Sequence, residues 1–284
     1  MNVYAATAKL EREFAFNDKH FDLLRGCVRE HTGIALSDAK RELVYGRLSR
    51  RLRNLGIDNF DAYCSLIAAG DQEEIAHFIN ALTTNLTAFF RESHHFDHLA
   101  ALLPSLIEKN KGTRRLRIWS AGCSTGEEAY SIAITVRETI GDQPGWDVKI
   151  LATDIDSNVL AAAANGVYHP KRADGLSRER LSRWFLRGQG KDAGMLRVVP
   201  DLQKLITFRQ LNLMQPWPLR GPFDVLFCRN VVIYFGKETQ RVLFSRFADV
   251  LASGGTLFIG HSESLFKVSE RFKLLGKTAY QKIL

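Results

Sequence analysis

Cysteine is scarce in this sequence: four in 284 residues, with no CxxC pair, which leaves no disulfide framework. Cys27, Cys64, Cys123 and Cys228 lie far apart, as expected of reduced thiols in a cytoplasmic protein. Long apolar runs are missing too. Stretches such as 159–164 fall far below the roughly 18 residues of a membrane span, so no membrane insertion is expected. The opening MNVYAATAKLEREF has no apolar segment of signal-peptide length. There is no internal repeat, no low-complexity tract and no metal motif. His94 and His95 are adjacent, with no carboxylate or cysteine at ligand spacing, and read as surface or hinge positions. A 45% hydrophobic and 25% charged composition with 21 glycines excludes disordered and collagen-like chains.

What remains is a soluble globular chain long enough for about two domains. Its formal net charge is +8 and its pI about 9.4, which leaves nucleic acid, an anionic membrane or an acidic protein as partners. The chain changes texture along its length. From 17 to about 82 it reads as helices only. Asn17 or Asp18 caps FDLLRGCVREH, which ends at Thr32-Gly33, and Ser37 opens DAKRELVYGRLSRRLRNLG, which stops at Gly56. NFDAYCSLIAAG and EEIAHFINALTTN follow. From about 114, apolar runs alternate with helical patterns: RRLRIWSAG, EEAYSIAITVRETI, WDVKILATDID, SNVLAAAANG, LITFRQLNL, FDVLFCRNVVIYF, KETQRVLFSRFADVLASGG, GTLFIGHS and a last pair around RFKLL and TAYQKI. That alternation predicts a parallel sheet with helices on both faces. Residues 166–205 interrupt it, and RGQGKDAGMLRVV inside them predicts a small inserted antiparallel subdomain.

The loop in RLRIWSAGCSTGEE sets Gly122 and Gly126 between a strand and a helix, where missing side chains let a ligand approach the backbone. Asp154, at the end of the next strand, is placed to accept ribose hydroxyls. Glu127 and Glu128 directly after the loop would repel the phosphates of a dinucleotide. They suit a cationic nucleoside without phosphate, and S-adenosylmethionine is one.

NALTTNLTAFFRESHHF (80–96), SAGCSTGEEAYSIAI (120–134), ATDID (152–156), FCRNVVIYF (227–235) and HSESL (261–265) together resemble the chemotaxis receptor glutamate O-methyltransferases, the CheR family. The resemblance covers nearly the whole chain. It implies an α/β, Rossmann-like class I S-adenosylmethionine-dependent methyltransferase domain at 83–284, with a linker at 83–92 and a β-subdomain inserted at about 166–205. An all-α N-terminal receptor-recognition domain at 10–82 precedes it. The resemblance implies that Asn85, Thr87 and Arg91 close over the cofactor, with Glu128 in the Gly-rich loop. Asp154 would face the ribose, Asn212 and Leu213 flank the adenine, and Arg229 and Asn230 end the fourth strand. Arg91 and Tyr234 would face the methyl acceptor. Members of the family can carry alanine where Gly122 and Cys123 stand, so a small residue is the expected requirement there. The product, S-adenosylhomocysteine, is expected to inhibit.

The helix at 38–54 carries Arg47, Arg50 and Arg53 opposite Val44, Leu48 and Leu52. Residues 40–53 hold six Lys or Arg against one Glu, whereas residues 1–70 hold 11 against 9, so the basic character is local. These arginines are candidate substrate-binding residues, and the resemblance names the partner as the cytoplasmic methylation helices of chemoreceptors. The inserted subdomain offers a strand edge for a receptor C-terminal peptide. A monomer is expected. Two rivals stand beside this reading. A nucleic-acid methyltransferase fits the pI, but the segment after the fourth strand reads C-R-N-V-V-I-Y without the prolines of a flipped-base pocket, so no nucleic acid is expected. A non-catalytic module that senses S-adenosylmethionine is the other, opposed by Arg91 and Tyr234 standing together.

Overall fold

The computed structural model describes residues 12–284 and divides the chain into two compact units that meet at Thr83 and Thr84. The expected domain start at 10 and most of the opening segment lie outside the described residues.

Local signals build the first unit. Asn17 accepts a hydrogen bond from the His20 backbone at 3.1 Å, while His20 Nδ1 accepts one from Asn17 N–H, a reciprocal cap that starts α1 (Asp18–Thr32). Gly33 ends it in the left-handed conformation. A single 3₁₀ turn, Asp38–Lys40, leads into α2 (Arg41–Leu55), then α3 (Phe60–Ala68) and α4 (Gln72–Leu82) follow. Val44, Leu48 and Leu52 form the fully buried stripe of α2. The same helix buries one charge pair. Arg51 reaches Glu74 on α4, whose Oε1 also accepts the Tyr63 hydroxyl at 2.8 Å.

The second unit is the expected α/β layer structure. After α5 (His94–Lys109) come β1 (Arg115–Ala121), α6 (Glu127–Ile140), β2 (Asp147–Asp154) and α7 (Ser157–Asn165). The insertion holds β3 (Val167–Tyr168), α8 (Arg178–Trp184), β4 (Phe185–Arg187) and β5 (Leu196–Val198), and α9 (Pro200–Gln203) leads back to the main sheet. The chain closes with β6 (Ile206–Gln210), β7 (Phe223–Cys228), α10 (Lys237–Val250), β8 (Leu251–Ile259), β9 (Phe272–Gly276) and β10 (Ala279–Lys282). The main sheet runs β6-β2-β1-β7-β8-β10-β9. Its first five strands are parallel and the last pair antiparallel, and β3-β5-β4 form the separate antiparallel sheet of the insertion. Helices cover both faces, and Trp119, Phe227 and Phe258 are fully buried between them.

Three local expectations are corrected. The sequence pattern missed α5, whose buried Phe96, Leu99, Leu103 and Leu106 keep helical spacing around an internal Pro104. The strand expected through Phe235 ends at Cys228, and Val232–Tyr234 form a 3₁₀ turn. The helix expected through Gly255 ends at Val250, and the glycine pair lies inside β8. There Phe223 and Val225 of β7 face Leu251 and Thr256, so β8 bulges, and Gly254 takes a φ of +70°.

Candidate functional site

β1 ends at Ala121 and the chain leaves the sheet through Gly122, at a φ of +84°. A Cβ there would lie 2.4 Å from Val231 Cγ2, so an alanine in this chain would need Val231 to move and would carry the strain of a positive φ. The N–H groups of Gly122 and Cys123 both donate to the Thr153 carbonyl, tying the loop to the end of β2. Ser124, itself at a φ of +49°, donates its N–H to Asp154 Oδ2 at 2.8 Å and its hydroxyl to the Asn85 carbonyl at 2.9 Å. Asn85 Nδ2 in turn donates to Asp156 Oδ2 at 2.8 Å, and the Asp156 N–H donates to Asp154 Oδ1. Two expected cofactor residues distant in sequence, Asn85 and Asp154, are thus joined through Ser124, which the sequence pattern did not single out. Burial pushes the Asp154 carboxyl up, and the N–H groups of Asp156 and Ser124 oppose that. Asn212 and Leu213 follow β6. Asn212 Oδ1 accepts the Met214 N–H, and the buried Leu213 offers its carbonyl to Arg246.

A second cluster is built on Arg229, just past β7, whose side chain is 2% exposed. Its guanidinium donates to Glu128 at 3.0 Å, lies 3.2 Å from Glu92, and donates to the Arg91 carbonyl. Glu128, on the first turn of α6, also accepts the Ser120 hydroxyl at 2.7 Å. Burial pushes its carboxyl up, with Arg229 and Ser120 countering. Burial works the same way on Glu92, but hydrogen bonds from His261, Arg229 and Asn230 and the arginine charge win, holding its carboxyl at about 2. The expected residues Arg229 and Glu128 therefore grip each other and the linker backbone. The first cluster ties the loop to the end of β2 and to the linker; the second ties β7 to α6 and to the linker.

Arg91 turns its guanidinium back to the Leu86 carbonyl at 2.8 Å, and Thr87 lies half-buried between them in sequence. Tyr234 lies in the turn after Asn230, also half-buried. That turn is pinned by Glu263, a buried carboxylate of the HSESL segment. Its Oε2 accepts the N–H groups of Gly260 and Asn230 at 2.5 and 3.0 Å, and its Oε1 accepts those of Val232 and Ile233 at 2.9 and 3.2 Å. Phe90, Glu92, Ser124 and Asn230 all have positive φ, a concentration of strain typical of a site whose surroundings over-determine the backbone.

His95 departs from the expected surface or hinge position of the histidine pair, while His94 is half-buried. His95 is fully buried, with Nε2 against the Lys277 carbonyl and the Thr278 hydroxyl, and burial followed by the Arg229 charge lowers it to about 4. Folding also brings a carboxylate to it. Glu92, His94 and His95 have ligand atoms within 4.8 Å of one another, but Arg229 already occupies Glu92 and its charge opposes a metal cation there.

On α2 the three arginines separate. Arg47 donates to the carbonyls of Ala81, Leu82 and Thr83 at the end of α4, at 3.3, 2.9 and 2.6 Å. Arg50 is exposed, and Arg53 lies 3.5 Å from Glu13. Arg47 and Arg50, with Leu43, Gly46 and Ala81, line a groove of about 640 Å³.

The donor set at the carboxyl end of the sheet decides what it can hold. Glu127 and Glu128 fill the first turn of α6, where a phosphate-binding fold keeps the helix N-terminus clear. Asp154 adds a buried carboxylate at the end of β2. A nucleoside without phosphate fits, as S-adenosylmethionine does, since Glu127 and Glu128 occupy the helix start and are paired with Arg172 and Arg229. Two family descriptions match, "CheR methyltransferase, all-alpha domain" over residues 19–83 and "CheR methyltransferase, SAM binding domain" over residues 85–281. This chain belongs to the CheR methyltransferase family. It is 43% identical over 275 residues to the "Chemotaxis protein methyltransferase" of Escherichia coli K12, covering 96% of this chain and 93% of that one. It is 46% identical over 272 residues to "Chemotaxis protein methyltransferase 2" of Pseudomonas aeruginosa, covering 95% of each. This CheR family member is an S-adenosylmethionine-dependent methyltransferase of chemotaxis. Among the described residues, no helix is long and apolar enough to cross a membrane.

Proposed function

We propose that this chain methylates glutamate side-chain carboxylates of chemoreceptors in the cytoplasm, giving glutamate methyl esters and S-adenosylhomocysteine. Bound S-adenosylmethionine supplies a methyl group on a positively charged sulfur. The observation that carries the reading is the state of the titratable groups around the site. Burial, and then the Asp154 and Glu128 charges, keeps Cys123 a neutral thiol. Burial with Glu263 and Glu128 does the same for Cys228. His95 is neutral and sealed in the core. A site whose cysteines and histidine stay neutral suits an acceptor that arrives already ionised, and a glutamate with an ordinary pKa near 4.3 does so at neutral pH.

The protein's work is then alignment and exclusion of water, which can lower a barrier by roughly 7–11 kcal/mol. Asn85, Thr87, Asp154, Asn212, Leu213 and Asn230 would hold the cofactor, with Glu128 and Arg229 keeping their frame. Charge falls as the anion and the sulfonium neutralise each other, so an over-tight cation on the acceptor would favour the ground state. Arg91 therefore orients one acceptor oxygen, and Tyr234 donates a single neutral hydrogen bond. Arg50 and Arg53 meet the acidic methylation helix, while Arg47 serves that surface by fixing the end of α4. The outer edge of β4, with Leu186 exposed, is the candidate dock for a receptor C-terminal peptide. Gly188 suits the turn that makes that edge, since a Cβ there would lie 2.0 Å from the Asp192 carbonyl.

The direct test incubates the enzyme with methyl-labelled S-adenosylmethionine and receptor-containing membranes, then treats the product with alkali. Release of label as methanol is expected. Label that survives alkali would mean amine or base methylation. Arg91→Ala should lower kcat by a hundredfold or so while S-adenosylhomocysteine affinity changes by less than about threefold, an effect of roughly 2.7 kcal/mol on the transition state alone. Lost affinity with unchanged turnover would remove Arg91 from the acceptor side.

A further inference from the structure

Glu127 and Glu128 are neighbours in sequence with one expected task, yet they face opposite ways. Glu128 turns to Arg229. Glu127, whose side chain is fully buried, turns to the inserted subdomain, where its Oε1 accepts Arg172 Nε at 2.9 Å and a second bond from the same guanidinium. The Thr125 hydroxyl donates to the other Glu127 oxygen at 2.6 Å and accepts from Arg172 Nη2 at 2.9 Å. The Tyr168 hydroxyl, on β3, donates to the Thr125 carbonyl at 2.7 Å. Gly126 lies so close beneath that a Cβ would be 2.8 Å from Ala163 Cβ and 3.0 Å from the Tyr168 hydroxyl oxygen. The linker joins the same assembly, because Phe89 packs edge-on against Tyr168 and Phe185 with ring centroids 5.0 and 5.3 Å apart.

We propose that Arg172 and Tyr168 of the insertion are positioning residues for the cofactor loop. They act through Glu127 and Thr125 and do not touch the cofactor. The insertion is thereby a wall that sets the loop's shape as well as a candidate dock. The loop backbone at Thr125–Glu127 has no strand neighbour to hold it. Between Cys123 and the body of α6 the Gly126 N–H donates to the Cys123 carbonyl and Ser124 is tied to Asp154 and Asn85, and the side-chain bonds from Arg172 and Tyr168 add the restraint on Thr125 and Glu127. The inference rests on the reading that residues 122–128 hold S-adenosylmethionine.

The test measures S-adenosylhomocysteine affinity by calorimetry, together with KM and kcat, on the full chain. Arg172→Ala should raise the dissociation constant and the KM for S-adenosylmethionine about tenfold, with kcat at saturation within about twofold. Arg172→Lys, which keeps the charge and loses the fork, should fall between. Because Arg172→Ala strands a buried carboxylate, Glu127→Gln is the companion, neutral and of the same shape. Its affinity loss should resemble that of Arg172→Ala, and the double variant should be no worse than either single one. A purely structural pair would lower the melting temperature of these variants and leave affinity for the folded protein unchanged, which would overturn the proposal. Asp154→Asn is the control. If it weakens affinity and the Arg172 and Glu127 variants do not, the inference fails alone. If Asp154→Asn has no effect, the reading of the loop fails and takes the inference with it.

Discussion

The outer face of α2 and the carboxyl end of the sheet place their charges differently. On α2 of the helical unit, Arg50 is exposed and Arg53 half-exposed beside a half-exposed Glu13. At the carboxyl end of the sheet, Arg229, Glu127, Glu128 and Glu263 are all buried, and each is bound to a partner charge or to backbone N–H groups. An exposed charge costs little to keep and little to remove, so its use is toward something outside the chain. A buried one is dangerous unless matched, and its use is to fix a unique arrangement of the groups around it. The net charge of +8 conceals this division, because it sums charges that meet partners with charges that build the site.

The largest effect should come from breaking the buried side. Arg229→Ala leaves Glu128 and Glu92 without their common cation and removes the bond to the Arg91 carbonyl. A loss of about 3–5 kcal/mol in urea unfolding is expected, with methyl transfer abolished, whereas Arg50→Ala should stay within about 0.5 kcal/mol. Equal losses at the two positions would erase the comparison.

A smaller effect separates the units by pH. His95 is packed among Glu92, His94, Arg229 and the Lys277–Thr278 turn, and its folded value of about 4 lies below the ordinary histidine value of 6.5. The unfolded chain therefore binds the proton more readily, and the stability that neutral His95 contributes is full above 6.5 and declines as pH falls toward 4. Between pH 7 and pH 5 that is a loss of about 2 kcal/mol. Glu92, held at about 2 against an ordinary value of 4.5, extends the decline in the same direction below that window. Urea unfolding of the wild type and of His95→Gln at the two pH values checks it. The wild type should lose about 2 kcal/mol more than the variant between them, and parallel losses would show that another group titrates.

How far the sequence alone could see follows the same division. Caps and stripes are local, so Asn17, Gly33, Gly56 and the buried face of α2 were legible, as was the alternation that makes the parallel sheet. The candidate site was legible as segments: the linker block, the glycine loop and the ends of β2 and β7. Its wiring was not. Nothing in the pair Glu127-Glu128 tells which one meets Arg229 and which one Arg172, because the choice is made by elements 45 and 101 residues away. V-V-I-Y-F reads as a strand, yet Glu263 takes the N–H groups of Val232 and Ile233 and bends the segment into a turn. His95 looked superficial because Glu92, Ser93 and His94 precede it, while its neighbours in space are Phe258 and the β9–β10 turn.

The smallest effect on the fold should be the most telling for recognition. Reversing Arg50 and Arg53 together to Glu removes two exposed cations and adds two anions on one face of α2. Stability should change little, since neither guanidinium is buried and Arg53 has only a half-exposed partner. Cofactor affinity should not move, because Asp154, Ser124 and Asn85 lie in a unit with its own core. Two cation-to-anion changes against an acidic helix would instead weaken the encounter, raising KM for receptor several-fold at low salt. The screening length is about 8 Å near physiological ionic strength, so added salt should weaken the wild type more than the variant and bring their KM values together. Arg47 supplies the internal contrast, since it lines the same groove but holds the carbonyls of α4. Arg47→Glu should therefore lower stability as well as receptor affinity, whereas the Arg50 and Arg53 pair should lower only the latter. A pair reversal that leaves receptor KM and its salt dependence untouched would make the stripe a solvated surface and move recognition elsewhere on the chain.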